Sequence, residues 1–160
     1  MTGSKHFPIS RRRPAQIAAL ACLGLLLVVP GTAGATNASL KKTLNTWSHR
    51  IGVDASGIGL SASRRHPRRM TRRAQHFRAD ALRARRALAA QQPSSARGRR
   101  AKRLAVAAFW NYARVGREWA LSGTARLHHK KALASRYATL ALRFARTGNR
   151  LLVSAGHLLG

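Results

Sequence analysis

Met70, Ala74, Phe77, Ala81, Ala84 and Leu88 recur at alternating steps of four and three residues, and that spacing commits the segment to a helix packed along one seam. Pro67 suits the first turn of this helix, which should run to about Ala90 before Gln91-Gln92-Pro93 stops it. Ser94 or Ser95 can cap a second helix, about Ala96 to Ser122, with Ala105, Ala108, Tyr112, Gly116 and Trp119 on its seam. Gly123 would end it and Thr124 cap a third, where Leu133, Tyr137, Leu140, Phe144, Gly148, Leu151, Ala155 and Leu158 hold one phase. That phase predicts a single helix to near Leu159, with a break at Thr147-Gly148-Asn149 as the alternative. Upstream, Leu40, Leu44, Trp47 and Ile51 describe a short amphipathic helix, and Gly52 to Ser63, rich in Gly, Ser and Ala, reads as a loop. The expected fold is all-α: an up-down-up bundle of three long helices plus a short N-terminal amphipathic helix covering the open seam. The segments are then 1–35 as export signal, 36–66 as short helix and loop, and 67–160 as basic bundle.

The pattern Tyr112 to Ser122 returns at Phe144 to Ser154, with Ala113 and Ala145, Arg114 and Arg146, and Gly116 and Gly148 in register. Aromatic, glycine and large apolar residue fall on one stripe at steps of four and three. A mid-helix glycine costs roughly 0.5 to 1 kcal/mol relative to alanine. Close helix contacts at Gly116 and Gly148 would offset that cost.

Composition sharpens the picture. Hydrophobic residues are 45% of the chain, but 30 residues are alanine, which favours thin helix-helix contacts over a thick core. Lys and Arg number 31 against 3 Asp and Glu, for a formal net charge of +28, and self-repulsion on that scale points to an anionic partner. The N-terminus reads as a signal peptide: Arg11, Arg12 and Arg13, an apolar run from Ala15 to Val29, and Ala33-Gly34-Ala35 as the cleavage motif. The expected location is secreted or extracytoplasmic with cleavage after Ala35. The alternative is a membrane anchor through 15–29, although that run is short of the roughly 20 residues a span needs. Cys22, the sole cysteine, lies inside the run, so the exported chain would have no disulfide. Asn37-Ala38-Ser39 matches a glycosylation acceptor but is too common a tripeptide to use.

Cations occupy helix starts, where the dipole and free amide N–H groups favour acids. The first long helix opens with Arg68, Arg69, Arg72 and Arg73, and the second with Arg97, Arg99, Arg100, Lys102 and Arg103. The third opens with Arg126, His128, His129, Lys130 and Lys131. Bound phosphate or carboxylate would turn each of these from a cost into a gain. Up-down-up topology puts the first and third starts at one end, so Arg68, Arg69, Arg72, Arg73, Arg126, His128, Lys130 and Lys131 form the expected anion site. Arg97, Arg99, Arg100, Lys102 and Arg103 form a second basic cluster.

Catalytic chemistry finds little material. Asp54, Asp80 and Glu118 are the only carboxylates; Asp80 has His76 and Arg83 at helical spacing and Glu118 has Arg114, so both read as surface pairs. No paired acids, nucleophile elbow or metal-ligand set is expected, and no cofactor. The partner classes are a polyanion (nucleic acid or a phosphate-bearing envelope polymer), an anionic lipid surface met by the basic faces and Trp47, Trp110 and Trp119, and an acidic protein surface for a helical scaffold.

Overall fold

The computed structural model describes residues 35–160. The export signal expected at 1–35 lies outside the described residues except for Ala35. Four helices follow one another: α1 (Ala35–Ser63), α2 (Pro67–Ala89), α3 (Ala96–Leu127) and α4 (Lys131–Leu159). No strand occurs among the described residues, and the protein is an all-helical bundle.

The elements run antiparallel in sequence order, as their cross-links show. Arg50 and Asp54 of α1 reach Asp80 and His76 of α2. Gly123 of α3 lies against Pro67 and Thr71 at the start of α2, and Gly116 against Ala74 and Arg78 one turn and more later. Between α3 and α4, Ser122 Oγ donates to the Ala134 carbonyl at 2.9 Å and Tyr112 Oη donates to Asn149 Oδ1 at 2.7 Å. α3 is the central member, with α2 and α4 packed along it and held apart from one another, while α1 lies mainly on α2.

The core forms where the seams meet. Phe77, Phe109 and Tyr112 pack edge to face, Tyr112 lying 6.3 Å from Phe77 and 5.6 Å from Phe109 between ring centroids. Leu40, Met70 and Leu88 are fully enclosed beside them. All six residues of the α2 seam are buried, as their spacing requires. Burial pushes the Tyr112 phenol well above its ordinary titration range.

The structure corrects the sequence reading in three places. The stretch Gly52 to Ser63 is helix, not loop, so the N-terminal element is a long helix of 29 residues and the bundle has four long members. Ile51, Ala55, Ile58 and Ala62 are buried and carry the seam through the Gly- and Ser-rich stretch. The second boundary also moves. α3 runs straight through Gly123 and Thr124 to Leu127, and Thr124 Oγ1 donates to the Ala120 carbonyl instead of capping a new helix. Gly123 is needed inside the helix, because a side chain there would collide with Thr71 of α2. Finally, α4 is continuous through Gly148, but its buried stripe is Ala134, Ala141, Ala145, Gly148, Leu152 and Ala155. Tyr137, Leu140, Phe144 and Leu151, expected on the seam, are only half-buried beside it. Small residues let the α3 and α4 backbones approach, and the large ones pack over the rim of the contact.

The glycines singled out by the repeat do mark close contacts. A Cβ at Gly116 would sit 2.7 Å from Arg78 Cβ and 2.8 Å from the Ala74 carbonyl oxygen of α2. At Gly148 it would sit 2.9 Å from the Tyr112 ring.

The two hairpins, α1–α2 and α3–α4, follow one plan. Each three-residue turn has a basic residue at its centre with φ of 55°, Arg65 in the first and His129 in the second. The hydrogen bonds correspond except at Lys131, whose N–H bonds the His129 carbonyl where the equivalent Pro67 has none: His66 N–H to the Ser61 carbonyl matches Lys130 N–H to the Ala125 carbonyl, and Met70 N–H to His66 matches Ala134 N–H to Lys130. At the same spacing Arg50 pairs with Arg114, Gly52 with Gly116, Gly59 with Gly123, Arg72 with Arg136 and Leu88 with Leu152.

Candidate anion-binding end of the bundle

Because both hairpin turns fall at the same end, the chain brings its most basic connections together there. A cleft of about 720 Å³ opens between them. Arg65, His66, Arg126, His129 and Lys131 line it, and no carboxylate does. Arg65 and His129 hold a left-handed backbone that ordinarily falls to glycine or asparagine. In each turn the left-handed residue lets the next N–H reach back five residues and close the preceding helix.

The amide groups add to the site. His66 is the N-cap of α2 and Lys130 that of α4, and neither residue's side chain caps its helix. At the opposite end, Ser95 Oγ accepts the Gly98 N–H of α3 at 2.9 Å. Pro67 has no N–H and the Lys131 N–H is donated to the His129 carbonyl, so what α2 and α4 leave without a side-chain cap are the next N–H groups of their first turns, where Gly98 of α3 has Ser95. The helix dipoles themselves add less at this end than the helix starts alone would suggest. α1 and α3 end where α2 and α4 begin, so opposed dipoles largely cancel at a distance. What remains at short range is side-chain charge and unshared N–H groups.

The expected site residues divide accordingly. Arg126 and Lys131 line the cleft. Arg126 sits in the last turn of α3 and His128 is that helix's C-cap, so both occupy favourable helix ends and not the start of a helix as the sequence suggested. Lys130 is the N-cap of α4. Arg68, Arg69 and Arg72 are exposed on the first turns of α2 beyond the cleft wall, whereas Arg73 lies over Gly57 of α1 and fills the space a side chain there would need. Among the described residues none of these cations forms an ion pair. Sequence reasoning missed Arg65 and His66, placed at a loop edge, and the only signal was the basic run Arg64-Arg65-His66 before Pro67.

The second basic cluster is engaged differently. Arg97 Nη2 donates to the His157 carbonyl at 3.1 Å, Arg99 Nη1 to Ser94 at 3.2 Å and Lys102 Nζ to Gln91 at 2.7 Å. These donors satisfy chain carbonyls at and beyond the ends of α2 and α4, a structural task. Arg100 and Arg103 remain exposed there.

The carboxylates are not surface pairs. Asp80 is fully buried between Arg50 of α1 and Arg83, the latter at 2.9 Å. His76 Nδ1 stands 3.2 Å from Asp54 and 4.0 Å from Asp80. Asp54, His76 and Asp80 are close enough to share a cation, but two guanidinium groups already occupy the Asp80 oxygens. The cluster reads as an ion-pair network joining α1 to α2. Glu118 is buried with no ion pair among the described residues, and its expected partner Arg114 is elsewhere: the guanidinium stacks 3.7 Å from the Phe144 ring centroid.

Comparison with protein-family models, curated proteins and solved structures finds no match to this chain. No helix among the described residues is long and apolar enough to cross a membrane.

Proposed function

We propose that this protein is a secreted, strongly cationic helical domain that binds anionic polymers, nucleic acid or a phosphate-bearing envelope polymer, without catalysis. The observation that carries the reading is the contrast between the two ends of the bundle. At one, five basic side chains surround a cleft beside two helix starts without side-chain caps. At the other, three of five basic side chains are tied to chain carbonyls. Affinity drawn from such contacts is electrostatic and carries little sequence preference. Export with removal of 1–35 belongs to the same proposal, and N-terminal sequencing of secreted protein tests it.

The binding test compares two fourfold Gln variants of equal charge. One changes Arg68, Arg69, Arg126 and Lys131; the other changes Arg136, Arg143, Arg146 and Arg150, all exposed on α4. The slope of log affinity for duplex DNA against log salt should fall by roughly 0.9 for each phosphate that the variant no longer neutralises. The first set should lower it by several units and the second by clearly less. Equal slopes would mean delocalised binding, and no DNA or polyphosphate binding at about 0.15 M salt would remove the reading altogether.

A second reading, adsorption to anionic membranes, rests on Val53 and Leu60, exposed two turns apart on α1. A blue shift of Trp fluorescence with anionic vesicles and none with DNA would favour it.

A further inference from the structure

The cleft at the basic end is larger than a phosphate group needs, and its floor has the wrong chemistry for phosphate alone. Beneath the cationic rim the cleft is apolar at Pro67 and Ala138, both half-buried, which lie with the buried Ala62, Met70 and Ala134 in its lining. Apolar floor and cationic rim come from both hairpins: Ala62, Arg65 and Met70 in one correspond to Arg126, His129 and Ala134 in the other. A bare oxyanion would leave Pro67 and Ala138 wet, whereas a ligand with an apolar body would cover them and release that water. The rim also discriminates between head groups. Arg65, Arg126 and Lys131 line the cleft from three separate segments: the first turn, the end of α3 and the start of α4. A planar carboxylate is satisfied by one guanidinium fork, while a tetrahedral phosphate presents oxygens on several sides and can accept from all three.

We propose that this cleft binds a single phosphate-bearing amphiphile, its phosphate held by Arg65, Arg126 and Lys131 and its apolar body laid over Pro67 and Ala138. The ligand is either a free phosphoester with an apolar substituent or the head-group region of an anionic lipid, which share this chemistry. The proposal rests on the reading of this end as anion-binding and adds the apolar requirement to it.

Calorimetric titration of the full chain with inorganic phosphate, hexyl phosphate and hexanol tests it. Each methylene buried is worth about 0.8 kcal/mol, or roughly fourfold in affinity. Burying two or more methylenes should thus make hexyl phosphate at least about tenfold tighter than inorganic phosphate, with hexanol showing no binding. Ala138→Leu narrows the floor without altering charge and should erase that excess while leaving phosphate affinity unchanged. Ser135→Phe, at an exposed lining position, provides the same occlusion should the first variant fold poorly. Equal affinity for phosphate and hexyl phosphate, or an excess that survives both occluding variants, overturns the amphiphile proposal. Neither result touches the polymer reading, which the DNA salt slope decides separately. Phosphatidic acid vesicles identify the source: binding that hexyl phosphate competes away assigns a lipid head group, and no vesicle binding assigns a free phosphoester. Vesicle binding that hexyl phosphate cannot displace places the lipid outside the cleft and overturns the proposal.

Discussion

Gly52 and Gly116 occupy equivalent places in the two hairpins, yet their surroundings are opposite. A Cβ at Gly52 meets nothing within 4 Å, whereas at Gly116 it meets the α2 backbone. Gly52→Ala should therefore stabilise by roughly 0.5 to 1 kcal/mol through helix propensity, and Gly116→Ala should cost about 1 to 3 kcal/mol through overpacking. Thermal denaturation of the two variants checks the pair, and equal effects would refute the crossing. Tyr112 provides a pH-dependent counterpart. Its phenol is buried and its titration displaced upward, so the folded state keeps the proton to a higher pH than the unfolded chain. Its contribution is fully present below about pH 10, the unfolded value. Above it, stability should fall by up to about 1.4 kcal/mol per pH unit. Tyr112→Phe loses the bond to Asn149, about 0.5 to 1.5 kcal/mol, but should show a flatter alkaline limb in urea denaturation. An unchanged limb would mean that another group controls it.

Among the elements, α2 was legible in its bounds and seam, though not in the burial of Asp80, because the seam carries Met70, Phe77 and Leu88 among alanines and Pro67 and Pro93 punctuate it. α1 was half legible: Gly and Ser have low helix propensity, and their density between Gly52 and Ser63 masked Ile51, Ala55, Ile58 and Ala62. Tertiary burial decided that stretch, not propensity. The turn between α3 and α4 was misplaced for the opposite reason. Glycine was looked for at a helix end, but Gly123 serves a crossing and the left-handed position is held by His129, which gives no turn signal in sequence. Likewise the cleft depends on the first turn arriving beside the second, which the loop reading concealed. If packing rather than propensity holds the end of α1, Ile58→Ala should cost about 2 to 5 kcal/mol. Leu60→Ala, at an exposed position two residues away, should change stability by less than about 0.5 kcal/mol. Hydrogen exchange should show α1 opening from its C-terminal half in the Ile58 variant; a uniform loss of protection across all four helices would instead make the molecule a single cooperative unit.

For the whole molecule, charge is the dominant opposing term. From 36 to 160 the chain carries 27 Lys and Arg against 3 acids, a net +24, and the carboxylates that could offset it are few and largely inside. Asp80 is enclosed by its guanidinium partners, and Glu118 has no ion pair among the described residues. Repulsion is thus borne by the folded state more than by the expanded unfolded chain. Added salt should raise the melting temperature, because screening shortens the reach of that repulsion to about 10 Å at 0.1 M. A polyanion should act differently, by linkage to the native state. At a free concentration about a hundred times its dissociation constant it contributes roughly 2.7 kcal/mol, which for a chain of this size is a shift on the order of 10 °C. The decisive comparison holds ionic strength constant and replaces part of the sodium chloride with millimolar polyphosphate. If only screening matters, the melting temperature stays where chloride left it. If the basic end gathers phosphate, it rises further, and the rise shrinks when Arg68, Arg69, Arg126 and Lys131 are changed to Gln but persists in the α4 control.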